Sequence, residues 1–333
     1  MARRMIVVTG GAGFIGSNIV ARLCAEGRQD VVVCDRLEDA ASGKWKNIAK
    51  HPIVDFWQPE EMFGQLERHA ERIEAVVHMG VISSTTEPDA DLILRTNFSL
   101  SRDLWDWCAL RNARLVYASS AATYGDGEQG FEDADDLESL AQLRPLNAYG
   151  YSKYLFDQYA AKQADEGHAP SQWAGLKFFN VYGPNEYHKG GMKSVVAQIW
   201  PKVAAGEPVT LFRSHNPNYA DGGQMRDFVF VDDVVDIVDW LLETPEVSGV
   251  FNAGSGQARS FLDLANATFT AAGKSPKVEY VDTPESIRDK YQYFTEARME
   301  RVRAAGYAGQ STPLEEGVRR YVQDFLMQAD PYR

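Results

Sequence analysis

The chain has 333 residues and a formal net charge of -13, long enough for one large α/β domain with a smaller appended lobe. Such acidity argues against a nucleic-acid backbone as partner, because that needs a basic surface. No run reaches the length of a membrane span, residues 1–4 lead on without a signal-peptide core, and Cys24, Cys34 and Cys108 lack the spacing of a zinc site or disulfide framework, so the expectation is a cytoplasmic protein with buried thiols and no metal.

Met5, Ile6, Val7 and Val8 are an unbroken apolar run, which suits a parallel strand covered on both faces. Thr9 ends it. Gly10, Gly13 and Gly16 then recur every third residue around Phe14 and Ile15, while Ile15, Ile19 and Val20 give an apolar face to a helix beginning near Ala12. Glycine lets the backbone approach a ligand, and the open N–H groups of a helix start attract a pyrophosphate. Three glycines can also mark an ordinary turn, but these follow a strand, open a helix and precede DVVVCD, whose Asp35 stands about 20 residues on, where an acidic residue meets an adenosine ribose. A nicotinamide dinucleotide is expected here. Asp35 alone favours NAD, but Arg36 and Lys44 suit a 2′-phosphate, which tilts the expectation to NADP and leaves NAD open.

The polar segment through Asn47 reads as a loop over the adenosine end, residues 52–56 as a short strand and residues 60–72 as an amphipathic helix. Residues 74–78, EAVVH, give a fourth strand that ends in MGVISSTTEP at the carboxyl edge of the sheet, which makes Met79, Gly80, Val81 and Ser83 candidate cofactor contacts. His78 reads as a catalytic base or, preferably, as a buried histidine at a strand end. Residues 91–111 carry helical periodicity, with Asn97 facing either the cofactor or solvent.

Residues 114–118 form the next strand and run into Ser119, Ser120, Ala121, Ala122, Thr123, Tyr124 and Gly125. Hydroxyls at the carboxyl end of a central strand are placed to bond a reacting alcohol, or else they cap a turn. The acidic residues 126–138 read as a solvated surface loop. In NAYGYSKYLFDQY, Tyr149 and Lys153 are four residues apart and share one helical face, whereas Tyr151 points about 200° away from Tyr149. An ammonium beside the phenol favours the phenolate, so Tyr149 is expected to have a lowered pKa and to act as general base. After a glycine-rich first turn and a serine-rich strand end, this pair is catalytic rather than chance packing. Residues 175–179 resume the sheet, and Asn180, Val181, Tyr182, Gly183 and Pro184 turn out of it.

That order of motifs resembles the extended short-chain dehydrogenase/reductase family, the nucleotide-sugar epimerases and dehydratases, over nearly the whole chain. The resemblance implies a Rossmann-type, doubly wound parallel sheet in an α/β domain over residues 1–175. Residues 176–333 would be mainly a smaller C-terminal α/β substrate lobe, with 176–183, 226–235 and 249–256 returning to the Rossmann side. Within the family, SSAATYG, RPLNAYGYSKYLFD, FFNVYGPNEYHKGGM, MRDFVFVDDV and KYQYFTEA look like the ADP-glyceromanno-heptose 6-epimerases. Those enzymes invert C6″ of an ADP-heptose destined for the lipopolysaccharide inner core. The resemblance implies Tyr149 and Lys189 as acid/base groups on opposite faces of the sugar carbon, with Ser120 and Lys153 supporting Tyr149. It adds Tyr149, Lys153 and Val181 to the cofactor contacts. For ADP-heptose it implies Ser120, Asn180, Lys189, Gly191, Gln198, Phe212, Arg213, Ser214, His215, Arg226 and Tyr291. A homo-oligomer, commonly a pentamer, is implied as well.

The chemistry supports two proton-transfer groups independently. Inverting a secondary alcohol through a ketone returns hydride to the other face, so the oxygen ends on the other side and needs a second donor. A desolvated Lys189 suits that role, although alone in HKGG it would read as a solvated charge or a phosphate contact. Residues 192–203 read as a helix, 209–212 as a strand and 226 onward as a strand leading to the helix start at Asp232 and Asp233. Arg226 suits a pyrophosphate, against an ion pair with Asp227 or Asp232. Tyr293 and Phe294 read as core, 260–272 and 314–325 as closing helices, and the residues from Pro331 as a frayed tail.

Some positions depart from the family pattern. Met79 stands where relatives often have glutamate, so backbone would make that contact. Gly191 and Gln198 replace serine and histidine, a second cofactor-side lysine is missing around Gln58 and Pro59, and HNPNYADGG enlarges the loop at 215–223. A hexose 4-epimerase is the nearest alternative. A dehydratase is less attractive, because Ala121 and Ala122 follow Ser120 and leave no Asp-Glu pair beside the hydroxyl to eliminate water. A noncatalytic NAD(P)-sensing protein would have no use for Tyr149, Ser120 and Lys189 together.

Overall fold

The computed structural model describes residues 4–85, 87–288 and 291–333. In chain order its strands are β1 (Met5–Thr9), β2 (Val31–Cys34), β3 (Asp55–Trp57), β4 (Ile73–His78), β5 (Arg114–Ser120), β6 (Trp173–Phe178), β7 (Asn180–Tyr182), β8 (Val209–Phe212), β9 (Met225–Phe230), β10 (Gly249–Ala253), β11 (Ala258–Ser260) and β12 (Val278–Val281). The longer helices are α1 (Phe14–Ala25), α2 (Met62–Arg68), α3 (Leu100–Arg111), α4 (Ala148–Asp165), α5 (Val195–Ala205), α6 (Val231–Glu243), α7 (Phe261–Ala271) and α8 (Leu314–Tyr321).

Seven strands form one sheet in the order β10-β6-β5-β4-β1-β2-β3, and every pairing in it is parallel. Parallel neighbours need crossovers, and here helices supply them on both faces. Alternate side chains of one strand therefore enter different cores. Ile6, Val8, Val33 and Val77 pack with Ile19 and Leu23 of α1 and Val235 and Val238 of α6, whereas Val7, Val32, Val76 and Leu115 pack with Trp105 of α3 and Phe156 of α4. The doubly wound α/β architecture is the one expected. Its strand order reverses between β1 and β4, which opens a crevice at their carboxyl ends.

Later segments build two smaller sheets, β11-β9-β7 and β12-β8. The second carries α5 and α7 around a separate apolar cluster of Ile199, Val203, Val209, Leu211, Ala265 and Phe269.

The structure corrects several expectations. The helix after the glycine-rich turn begins at Phe14, two residues later than expected, because Gly13 is its extended N-cap. The 91–111 segment is not one regular helix: a wide π turn, Leu94–Ser99, separates Ala90–Ile93 from α3, and it places Asn97 in the interior with no exposure, so the solvated-face reading fails. Acidic residues 126–138 are not wholly solvated. Phe131 and Asp133 are buried, and Asp133 accepts the Asn252 N–H at 2.6 Å, which fastens the segment to β10. Nor is the tail frayed. The Tyr187 hydroxyl donates to the Pro331 carbonyl at 2.8 Å, Tyr332 packs edge-on to Tyr187, and the Arg333 guanidinium pairs with Asp232.

Candidate active site

At the carboxyl end of β1, Gly10 takes a positive φ of 64°, and a Cβ there would come within 2.6 Å of the Gly80 nitrogen. A Cβ on Gly16 would overlap the Gly10 carbonyl oxygen, so the first turn of α1 rests directly on the loop. The α1 N-terminus has no side-chain cap and no acidic residue in its first turn. Phe14 and Ile15 open this helix beside a backbone stripped of side chains, and such a start holds a pyrophosphate through N–H groups and the helix dipole.

Asp35 follows β2 and is nearly buried. It accepts the Ala12 N–H at 3.0 Å and the Lys44 ammonium at 3.0 Å. Lys44 also reaches Glu38 at 3.2 Å and the Arg36 carbonyl at 2.8 Å, while the Arg36 guanidinium pairs with Glu60 on the surface. Both cations read as phosphate contacts thus already have carboxylate partners.

Along β4, His78 is buried between the Thr9 hydroxyl at 2.6 Å and the Ser101 hydroxyl at 2.9 Å, and burial pushes its pKa down to about 3. This is the environment of a neutral structural histidine. The Met79 N–H donates to the Thr9 carbonyl at 3.0 Å and the Gly80 N–H to the Thr9 hydroxyl at 3.1 Å, so these backbone donors are committed within the protein. Asn97 holds the Ile82 backbone with both ends of its amide, at 2.8 and 2.9 Å, and donates to Ser152 of α4 at 3.1 Å. Val81 is partly buried and Ser83 exposed on the same loop.

The Tyr149 face is assembled from β5 and α4. Asn147 caps α4 by accepting the Gly150 N–H at 2.8 Å, which starts the helix so that Tyr149 falls in its first turn and Lys153 one turn later. The Tyr149 phenol faces the Ser120 hydroxyl, which favours its phenolate form. Lys153 is 2 % exposed, and its amine donates to the Ala118 carbonyl at 2.8 Å. Burial lowers Lys153 to about 7, against the opposing pull of Asp157. The expected lowering of Tyr149 is reversed. Burial raises the phenol, Ser120 offsets this only in part, and Asp157 adds to it.

Lys189 lies on the turn Tyr187–Met192, after the Asn180–Pro184 exit from β6. Its ammonium sits 5.2 Å from the centre of the Phe14 ring, at the glycine-rich turn, and burial lowers its pKa against the nearby Glu186 carboxylate. Glu186 is itself fully buried and accepts the Ser194 hydroxyl at 2.6 Å. Val181 is partly buried, and Asn180 and Gly191 are exposed. Gln198 is exposed but donates to the Lys193 carbonyl at 2.6 Å and the Gly191 carbonyl at 3.2 Å, bracing that loop.

In the second lobe the Arg226 guanidinium lies between the rings of Phe261, at 5.6 Å, and Tyr291, at 5.4 Å. The ion-pair alternative fails, because Asp227 binds the backbone of Ser255, Gly256 and Ala297 and Asp232 pairs with Arg320 and Arg333. Tyr291 also meets the edge of Phe212 at 6.1 Å. Tyr293 does more than fill core: its hydroxyl accepts the His215 N–H at 3.0 Å and its ring packs 5.2 Å from Tyr219. Arg213 and His215 are exposed, and Ser214 donates to the Asn216 carbonyl at 2.8 Å. Lys290, which opens the KYQYFTEA segment, lies outside the described residues.

Sequence reasoning missed the residues that hold these parts together. Asn47 is fully buried and donates to the carbonyls of Ala12 at 2.9 Å and Asn185 at 3.0 Å, joining the glycine-rich turn to the Lys189 segment. Asn185, at a φ of 72°, donates to the Ser17 hydroxyl at 3.0 Å. An asparagine just after Gly-Pro is a signal for a left-handed turn residue, whereas nothing local distinguishes Asn47 from loop asparagines.

Residues 6–254 match the NAD dependent epimerase/dehydratase family. The ADP-L-glycero-D-manno-heptose-6-epimerase of Nitratidesulfovibrio vulgaris (strain DP4) is 49 % identical over 331 residues, covering 98 % of this chain and 100 % of that protein. The enzyme of the same name from Fusobacterium nucleatum is 46 % identical over 336 residues, with 98 % and 100 % covered. Among solved structures, the Helicobacter pylori ADP-L-glycero-D-manno-heptose-6-epimerase superposes with a TM-score of 0.77 at 27 % identity, covering 97 % of this chain and 96 % of that one. The Thermus thermophilus UDP-glucose 4-epimerase, solved with NAD, gives 0.72 at 28 % identity, with 96 % and 97 % covered. With this sheet, glycine-rich turn and Tyr149–Ser120–Lys153 face, the chain belongs to the NAD dependent epimerase/dehydratase family.

Proposed function

We propose that the protein inverts C6″ of ADP-D-glycero-D-manno-heptose to give the L-glycero epimer, an isomerase acting on a precursor of the lipopolysaccharide core. Near-half identity along the full length of epimerases so named supports it. The observation that carries it is the placement of two titratable side chains from separate elements, Tyr149 beside Ser120 and Lys189 at the glycine-rich turn, which suits them for proton transfer.

Bound nicotinamide supplies a reversible hydride acceptor for C6″. Gly10, Gly13, Phe14, Ile15 and Gly16 would hold the pyrophosphate, and Asp35 would meet the adenosine ribose. NADP is the cofactor in this reading, and Lys44 and Arg36 would exchange their present carboxylate partners for its 2′-phosphate. Tyr149 would take the hydroxyl proton at its phenolate oxygen on one side of the sugar carbon. Lys189, as ammonium, would give a proton to the oxygen on the other side. Ser120 would bond the reacting oxygen, and Lys153 in its ammonium form would work against the burial that raises the Tyr149 phenol. Arg226 pairs with the substrate pyrophosphate from its aromatic slot. The reading divides the chain into a cofactor domain over 1–175 and a mainly substrate-binding lobe beyond it. It places the enzyme in the cytoplasm as a homo-oligomer. Among the described residues no helix is long and apolar enough to cross a membrane.

The test is NMR of the heptose C6″ proton after incubation with no cofactor added. Wild type should epimerise the sugar. Tyr149→Phe and Lys189→Met should each lose about 10²-fold or more in kcat while retaining cofactor. Turnover of UDP-galactose with none of ADP-heptose would overturn the substrate assignment, and NAD rather than NADP released on denaturation would overturn the cofactor assignment.

A further inference from the structure

Behind the Ser120 turn lies a charged pair to which the reaction above gives no role. Asp157 and Lys177 are fully buried and 2.8 Å apart. Asp157, one helical turn beyond Lys153 on α4, accepts the Ser119 hydroxyl at 2.7 Å and the Tyr117 hydroxyl at 3.2 Å. The Lys177 ammonium, on β6, donates to the Thr123 hydroxyl at 2.7 Å and lies 4.9 Å from the centre of the Tyr124 ring. Thr123 in turn donates to the Ser120 carbonyl at 2.8 Å. A buried ion pair is a poor stabiliser, since apolar side chains of the same volume hold a core as well or better. Its location gives it another use: the chain of bonds ends on the turn that carries Ser120, and the carboxylate follows Lys153 on the same helix.

We propose that Asp157 and Lys177 are positioning residues for the proton-transfer face, fixing the Ser120 turn by hydrogen bonds and setting the field felt by the Lys153 amine and the Tyr149 phenol. The inference rests on the epimerase reading. From β4, His78 also faces Lys153, but burial keeps it neutral. From β5 come the Ala118 carbonyl, the hydroxyls of Ser119 and Ser120, and the Tyr117 phenol, which burial raises and so keeps neutral. Asp157 is therefore the charge that lifts Lys153 against burial, and it raises Tyr149 as well. Removing the carboxylate alone lowers both groups. Removing the Lys177 ammonium alone leaves the carboxylate unbalanced and raises both.

The pH dependence of kcat/KM for ADP-heptose epimerisation by the intact enzyme separates this from a structural role. The limb set by Tyr149 with Lys153 should move to lower pH in Asp157→Asn and to higher pH in Lys177→Met, each by about one unit, and return toward wild type in the double variant, while the limb set by Lys189 stays in place. Loosened packing would lower the rate without moving that limb in opposite directions. A Tyr149–Lys153 limb that stays in place, or moves the same way in both single variants, overturns the proposal. Where a single variant does not fold, Asp157→Glu and Lys177→Arg decide: with charge kept, only the rate should fall, and displaced limbs overturn the proposal. Absence of wild-type turnover is a failure of the epimerase reading, whereas normal wild-type turnover with unmoved limbs is a failure of this inference alone.

Discussion

Two glycines show how differently the same residue type is constrained in this chain. Gly16 lies against the Gly10 carbonyl, so a Cβ there collides with backbone that no rotamer change can move. Gly64 lies in α2, exposed and with nothing within 4 Å of its would-be Cβ. Gly16→Ala must push α1 off the loop, costing about 1–3 kcal/mol of stability and disturbing the proposed pyrophosphate site. Gly64→Ala removes backbone freedom from the unfolded chain and adds helix propensity, a gain of about 0.5–1 kcal/mol. Urea midpoints for the two variants measure both effects, and cofactor content after purification should fall only in Gly16→Ala. A Gly16→Ala protein of unchanged midpoint would show that the close approach is not required.

At the scale of elements, the tail is a strap and not a loose end. The Lys50 ammonium donates to the Tyr332 carbonyl at 2.7 Å and pairs with Asp330 at 2.9 Å, while the Arg333 N–H donates to the Asn185 side chain at 2.9 Å. Asn185 adjoins Glu186 and the Lys189 turn, so the strap bears on a candidate acid through one asparagine. Cutting the chain after Asp330 should lower stability by about 1–3 kcal/mol and raise KM for ADP-heptose more than it lowers the binding of cofactor. Equilibrium denaturation and steady-state kinetics of the shortened chain check this, and unchanged values in both would refute it. Sequence reasoning could not see the strap, because its partners, Lys50, Asn185, Tyr187 and Asp232, are scattered and no local pattern links them. The parallel sheet was legible for the opposite reason. Runs such as MIVV and VVVC are apolar at every position, a pattern that only two-sided burial explains. The Tyr149–Lys153 pair was legible through helical spacing, yet the protonation of its members was not, since desolvation depends on what the rest of the fold packs around them. Asn97 failed for a related reason, because a π turn shifts the face that regular periodicity assigns.

Across the whole molecule, acidic and imidazole groups perturbed by burial link folding to pH. His78 titrates at about 3 in the fold, against 6.5 for the free side chain. The unfolded chain therefore binds more protons below pH 6.5, so this histidine's contribution to stability is intact above 6.5 and is lost progressively as the pH falls toward 3. Asp133 works the other way. Burial raises its carboxyl from 3.8 to about 6, so the fold binds the extra proton between those values and gains stability as the pH falls through 6. The two effects overlap near pH 5, and a bare acid-denaturation curve would mix them. His78→Asn keeps a polar side chain near Thr9 and Ser101 but cannot take up a proton. Between pH 7.5 and 5.0 wild type should therefore lose about 2 kcal/mol more unfolding free energy than His78→Asn, measured from urea curves at each pH. Equal losses in the two proteins would mean that His78 accepts its proton inside the fold, with the Thr9 and Ser101 hydroxyls reorienting as acceptors around an imidazolium.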